Sequence, residues 1–512
     1  MGVNCCVILF FIDMSNLPLN RCRVKLFYQS LFAAIFSSSI LLPYLSSQPA
    51  QAQVTQYCQL SPSAVKTKEN LRLSALKGNK NAQTRYQKLI KQHAQEVQQC
   101  RKRTWPNIQA VWIRLYPCDM KPGALEQIMD RIVNDGYNQV YVEAFYDGRV
   151  LLPAAANPTV WPSVIRNPGA EKVDLLAKAI QTGRERGLKV YAWLYTANFG
   201  YSYALRPDRE GAIARNGQGQ TSLYVVNEGR QVFIDPYNEQ AKRDYHRMVQ
   251  EILRRRPDGV LFDYVRYPRQ AGSDSIATKV TDLWLFTQAT QQALFRRAQN
   301  NQGLELIRRF LTKGYVTAGD ITEVDQLYPQ DNEPLWQGKI PTKDKSLLSP
   351  NERQPLLQTQ LWLLAVAHAM QGIVDFVNLA THPAKQLGIP SGVVFFPEGN
   401  QTVGQGYDSR LQPWDQFPSS SQWHPMSYAA CGHVTCIVEQ VQRVLSLAQP
   451  GTQIIPALAG KWGGAVSNRP SLEAQMQALR KFAPQLKGVS HFAYSWQYPQ
   501  HDSDRKACRH YN

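Results

Sequence analysis

Asp263 stands in the run Gly259-Val-Leu-Phe-Asp-Tyr-Val265, a lone acid among apolar residues. A carboxylate there must be desolvated or face a cavity, and burial without a partner is costly. Pairing with Arg266 or Arg114 is the structural alternative to a chemical role. Glu143 lies in a second apolar run, Gln139-Val-Tyr-Val-Glu-Ala-Phe145, where a substrate-binding or pKa-tuning role and a salt bridge are both open. Glu398 follows a third run in the loop Pro397-Glu-Gly-Asn400. Rings and hydrogen-bonding groups stand near the ends of similar runs: Trp193, Tyr195 and Asn198, then Tyr264 and Arg266, then Trp423, His424 and Tyr428, and finally Tyr494 and Trp496. Aromatic rings stack on the apolar faces of pyranoses, while two carboxylates manage a proton and an oxocarbenium charge. The set suits sugar chemistry. His424 can equally be a satisfied structural histidine, and Asp235 can simply cap the helix that follows it.

The elements that must hold these residues alternate. Short β-rich runs at 111–115, 139–145, 189–195, 259–265, 392–396, 423–428, 454–458 and 489–496 are separated by amphipathic stretches, including 123–134, 173–186, 239–256, 356–380 and 472–482. Alternation of this kind marks a parallel sheet, and eight strands are the number that closes a (β/α)8 TIM barrel. An open doubly wound sheet would carry a Gly-rich phosphate loop, and no turn here reads GxGxxG or GxxxxGK[ST]. No cofactor is therefore expected. The barrel is assigned to residues 106–512, with an insertion after strand four at about 269–355. In such a barrel the ends named above converge on one face.

Upstream, Arg21, Arg23 and Lys25 precede an apolar stretch from Leu26 to Leu45, and Ala50-Gln51-Ala52 gives the small-x-small pattern of signal cleavage. Residues 1–52 are read as a signal peptide, so the chain is expected to be exported to the periplasm or beyond the cell. An uncleaved anchor is the alternative, and no transmembrane segment is expected after cleavage. Cys5, Cys6 and Cys22 go with the leader. The remaining Cys58, Cys100, Cys118, Cys431, Cys436 and Cys508 are an even set that fits disulfides. No CxxC pair supports a metal site.

Residues 53–105 read as a basic helical hairpin broken at Gly78-Asn79, with Cys58 and Cys100 placed to staple its open ends. It holds eleven Lys and Arg against two Glu, in a chain of net charge +18. That charge fits either a solvated surface or a tether to an anionic envelope surface. Nucleic acid is not expected, since only charge would argue for it and export argues against.

The run Asp258-Gly-Val-Leu-Phe-Asp-Tyr-Val-Arg-Tyr-Pro268 resembles the signature of the family 10 glycosyl hydrolase-like proteins. Val111-Trp-Ile-Arg114, Tyr191-Ala-Trp-Leu-Tyr195 and Pro425-Met-Ser-Tyr428 fall in the order expected of that family, from about Ala110 to Trp496. The resemblance implies a (β/α)8 fold and glycosidase-type activity on a cell-wall or extracellular glycan, with the strand-four acid carried over as Asp263. Other sugar-cleaving barrels fit less well. Where xylanase-type barrels use a strand-seven Glu, this chain has Ala457-Leu-Ala-Gly460, and the chitinase DxxDxDxE run is absent around Asp263. The amylase-like arrangement is the most similar, with Asp263 as nucleophile or charge stabiliser and Glu398 as acid/base, although Leu261 replaces that group's Arg. Glu143 is the other candidate acid/base. The sequence thus predicts a two-carboxylate glycoside hydrolase with a polysaccharide substrate; a non-catalytic carbohydrate-binding barrel of the envelope is the rival.

Overall fold

The computed structural model describes residues 57–226, 231–341 and 348–509. The expected leader and its three cysteines lie outside them. The alternating runs form eight parallel strands: β1 (Ile108–Ile113), β2 (Gln139–Tyr146), β3 (Lys189–Tyr195), β4 (Gly259–Asp263), β5 (Ser391–Phe395), β6 (Gln422–Ser427), β7 (Ala457–Ala459) and β8 (Gly488–Phe492). Each pairs with the next, and β8 returns to β1, which also pairs with β2, so the sheet is a closed (β/α)8 barrel. Register aligns Glu143 with Trp193 and Tyr195 with Asp263, which brings the ends of β2, β3 and β4 together. Strands buried on both faces read as continuous apolar runs, and β2 is buried at every position. Strand eight is shorter than the sequence suggests. It ends at Phe492, and Tyr494–Gln497 forms a short helix instead.

The hairpin forms as its caps dictate. Ser61 accepts from the Ala64 N–H at 3.3 Å ahead of Pro62 at the first turn of α1 (Pro62–Leu76). Asn79 accepts from the Ala82 N–H at 2.9 Å to open α2 (Lys80–Arg103). Both match the side-chain preferences of helix starts. The Cys58–Cys100 disulfide joins the open ends. The buried face of α2 packs on α3 (Ala124–Asn134), with Tyr86 donating to Asp130 at 2.7 Å and Arg186 bonding the same carboxylate at 2.8 Å. Hairpin and barrel accordingly lie in one compact unit, Val54–Asn512.

Between β3 and β4 runs α5 (Glu239–Leu253), preceded round the barrel by α4 (Leu175–Glu185). Asn238, not Asp235, caps α5. Asp235 instead accepts from the hydroxyls of Thr287 and Thr290, each at 2.5 Å, stapling the start of the inserted helix α6 (Gln288–Phe295). Helices α7 (Asn301–Lys313) and α8 (Ala318–Leu327) complete that insertion. The next helix, α9 (Pro350–Gln386), is long and apolar enough to cross a bilayer by composition. Most of its apolar stretch is nevertheless buried, with Leu361, Ala365, Ile373 and Val377 turned inward against α5 and the barrel, as suits a core helix. Helices α10 (Val434–Leu447), α11 (Leu472–Phe482) and α12 (Pro499–Lys506) finish the outer layer. Disulfides Cys118–Cys508 and Cys431–Cys436 use the other cysteines of the even set. Three disulfides indicate an oxidising environment.

Candidate functional site

At the C-terminal ends of the strands lies a cavity of about 180 Å³, walled by Trp112, Trp193, Tyr195, Tyr264, Phe396, Tyr428 and Phe492, with Val394, Met426, Asp263 and Arg266 also lining it. Pockets enclosing drug-sized ligands run to roughly 300–1,000 Å³, so this one encloses little more than a single ring. Asp263 is the one carboxylate among its lining residues. One oxygen accepts from the Trp193 indole N–H at 3.1 Å, the other from the Tyr264 N–H at 2.6 Å. Burial dominates its chemistry. With 6% of its surface exposed, its pKa is pushed up to about 6, against the opposing pull of the Tyr264 N–H, the Arg266 charge and Trp193. The negative charge of Glu143 adds to the rise.

Immediately after Asp263 the backbone turns left-handed at Tyr264, φ +53°. A non-glycine residue in that region carries strain that the surroundings must hold in place. The turn brings the Tyr264 ring to 4.2 Å from that of Tyr195, closing one side of the cavity. Trp112, edge-on to Trp193 at 4.9 Å and donating to Ser490 at 3.0 Å, forms the floor.

Glu143 is buried behind this wall. It accepts two hydrogen bonds from Arg114, one of them at 3.1 Å from Nη2. Burial raises its pKa, and Arg114 opposes the rise. Arg114 also reaches Asp147 at 3.5 Å. Glu143 therefore touches the cavity only through its neighbours. Glu398, in the turn after β5, accepts from Gln440 of α10, whose own carbonyl oxygen accepts from the Ala429 N–H at 3.2 Å. It is not among the residues lining the cavity.

Several expected sugar contacts are placed elsewhere. Trp423 points outward from β6 and is fully buried between Trp414 and Phe395, leaving no ring face for a ligand. The two-residue alternation of a strand instead turns His424 into the barrel, edge-on to Trp112 and Tyr141, where burial lowers its pKa to about 3 and keeps it neutral. Asn198 accepts from the Val232 N–H at 3.1 Å and the Gly200 N–H at 3.2 Å, bracing the loop beyond β3. Tyr494 is buried beneath α12 with its hydroxyl 2.9 Å from His501, and Trp496 lies against Arg469 outside the cavity. Trp193, Tyr195, Tyr264, Arg266 and Tyr428 do line it.

The sequence reading missed Trp112, Val394, Phe396 and Phe492. Trp112 stands two residues before Arg114 and so shares its inward face; that alternation was the available signal. Arg269 and Arg410 were missed as well. Arg410 follows a short strand, Gly406–Asp408, that pairs with Ile276–Ala277 of the insertion, and nothing local to it announces the site. Among the described residues, no group of three or more acidic, His or Cys side chains is placed to hold a metal.

No curated protein matches the chain by sequence. Among solved structures it is similar to a hypothetical protein from Ruminiclostridium thermocellum, 18% identical over 31% of this chain and 77% of that one, TM-score 0.24. It is also similar to a GH20 exo-β-N-acetylglucosaminidase from Vibrio harveyi, 9% identical over 79% of this chain and 55% of that one, TM-score 0.39. A GH18 chitinase from Pseudoalteromonas aurantia is 9% identical over 79% and 98%, TM-score 0.35. The chain spans about half the length of the Vibrio enzyme. The fold itself rests on the closed strand pairing. A family match begins inside α2, runs through Asp263 and part of the insertion, and stops before β5, so it takes in ground that the strand motifs left out and omits the later strands. Residues 84–308 match the model of the family described as Glycosyl hydrolase-like 10, the family that the strand-four motif resembles.

Proposed function

We propose that this barrel is a glycoside hydrolase acting on a cell-wall or extracellular polysaccharide, with Asp263 as its proton-carrying group. One observation carries the reading: Asp263 faces an aromatic-walled cavity and is held near pKa 6, where it both gives and takes a proton close to neutral pH. Sugar cleavage of this type pairs a protonated acid with an ionised carboxylate. A raised pKa suits Asp263 to the acid role rather than to that of nucleophile. Glu143, clamped by Arg114 and out of the cavity, serves to hold Asp263 in its protonated form. The candidate for the second carboxylate is Glu398, which bonds Gln440 beyond the end of β5. Trp193, Tyr195 and Tyr428 supply stacking surfaces. Export to the periplasm or cell exterior agrees with the three disulfides, and the exposed lysines of α2 supply a tether to an anionic envelope surface.

A second reading is a carbohydrate-binding barrel without catalysis. Its specific support is that only one carboxylate lines the cavity. A single experiment separates the two. The protein is incubated with peptidoglycan glycan strands and extracellular polysaccharides, and new reducing ends are counted. Hydrolysis that falls about 10²–10⁴-fold in Asp263→Asn, with glycan binding retained, supports the enzyme. Binding without any new reducing ends in the wild type supports the second reading.

A further inference from the structure

Arg266 lies three residues beyond Asp263, buried in the cavity wall. Its Nη1 donates to the Tyr267 carbonyl at 2.8 Å. A guanidinium has five N–H donors, yet among the described residues Arg266 has no ion-pair partner. Three rings surround it instead, Tyr264 at 4.7 Å, Phe233 at 5.4 Å and Phe396 at 5.6 Å. Rings ease the burial of a cation, but they offer no lone pairs to its remaining donors.

The same Phe396 ring gathers two more guanidiniums, Arg410 at 4.4 Å and Arg269 at 5.9 Å. Asp408 grips Arg410 with two hydrogen bonds of 2.7 and 2.6 Å. Arg269 is exposed and, among the described residues, also lacks an ion-pair partner. Three cations thus share one ring and one directly paired carboxylate, at the wall of a cavity that already holds Asp263. Burial works against the charge on Arg266, Tyr264 and Asp263 favour it, and the neighbouring Arg410 and Arg269 oppose it again; a guanidinium cannot shed that charge by losing its proton. Burying an uncompensated charge is costly unless something pairs with it.

We propose that Arg266, seconded by Arg269, is a specificity subsite for a carboxylate on the sugar ring, so that the glycan taken here carries uronic-acid-type residues. This rests on the carbohydrate reading above and narrows it. A planar carboxylate matches the guanidinium fork in two-point contact, and a cavity of about 180 Å³ has room for one ring bearing so small a group. A neutral sugar would offer this cation no ion pair and leave it only the influence of Asp263. A bound carboxylate would also offset the charge with which Arg266 favours ionised Asp263, so the acidic substrate itself would keep Asp263 protonated.

The test compares binding, not turnover. Oligosaccharides from galacturonate-, glucuronate- and mannuronate-bearing polymers are titrated calorimetrically, each beside the same oligosaccharide with its carboxyl groups reduced to alcohols. At least one acidic form should bind about tenfold or more tightly than its reduced counterpart. Arg266→Gln should bring that ratio close to one. The exposed Arg269→Gln should lower it part of the way, and it keeps the test alive should the buried variant fail to fold. Equal binding of acidic and reduced forms, or a ratio unchanged in both variants, overturns the subsite while the carbohydrate reading stands. Binding of neither form by the wild type overturns both.

Discussion

Two buried arginines, Arg266 and Arg505, show how the same side chain serves opposite ends. Arg505 of α12 is fully buried and spends all its nitrogens. It bonds Asp119 at 2.9 and 2.6 Å, Asp502 at 3.0 Å and the Arg114 carbonyl at 3.0 Å. Its partners are themselves satisfied, since Asp119 accepts from the Tyr116 N–H at 2.8 Å and Asp502 from the Tyr116 hydroxyl at 3.0 Å. Arg266 is also buried, at the cavity wall, and has one backbone acceptor and three rings. A charge whose bonds are all made inside the protein holds structure together. A charge with bonds left over contributes little to the fold and is available to a ligand.

The largest expected effect breaks the satisfied side of that pair. Arg505→Ala leaves Asp119 and Asp502 buried without a cation, and should destabilise the protein by about 3–5 kcal/mol. Denaturant unfolding measures this, and a loss under about 1 kcal/mol would erase the contrast. The next effect has the opposite sign. Asp263 has a folded pKa of about 6 against an ordinary value of 3.8. Its stabilising contribution is therefore complete below the unfolded value and is lost as pH rises through about 6. Asp263→Asn removes the cost of the buried anion, so the variant should gain about 1–3 kcal/mol at pH 8, an advantage that fades by pH 4. Thermal unfolding of both proteins across that range reads it directly. No gain at pH 8 would place the carboxylate in a better-solvated setting than its burial implies. The smallest effect belongs to Arg266→Gln. Losing a buried cation that has no ion-pair partner should not lower stability in the absence of glycan. A loss as large as that of Arg505→Ala would make Arg266 a structural ion after all.

Much of the frame was legible in the sequence because local chemistry specifies it. The run Lys189–Tyr195 and the helix Leu472–Phe482 fall at the boundaries their patterns suggest, and the hairpin breaks where Gly78-Asn79 suggests. Phase within a strand was less legible. A barrel strand is apolar on both faces, so Trp423 and His424 exchange places without disturbing the pattern. Phe492 to Trp496 keeps the texture of a strand although Tyr494–Gln497 is helical. The cation cluster at Phe396 was least visible, because Arg266, Arg269 and Arg410 meet only when the segment after β5 pairs with the insertion. The side-chain types that suit sugar chemistry could be named; which of them share a cavity was settled by distant pairings.

The Cys118–Cys508 bond, which ties the first strand-to-helix turn to the segment after α12, turns most of the barrel into a covalent ring. Rings respond to scission differently from open strings. One cut anywhere between those cysteines leaves a single linear molecule with both halves still attached and held in register by Arg505 and its two carboxylates. A protease must therefore cut this ring twice to release a fragment from it, which lends the barrel a durability that its noncovalent energy alone would not provide.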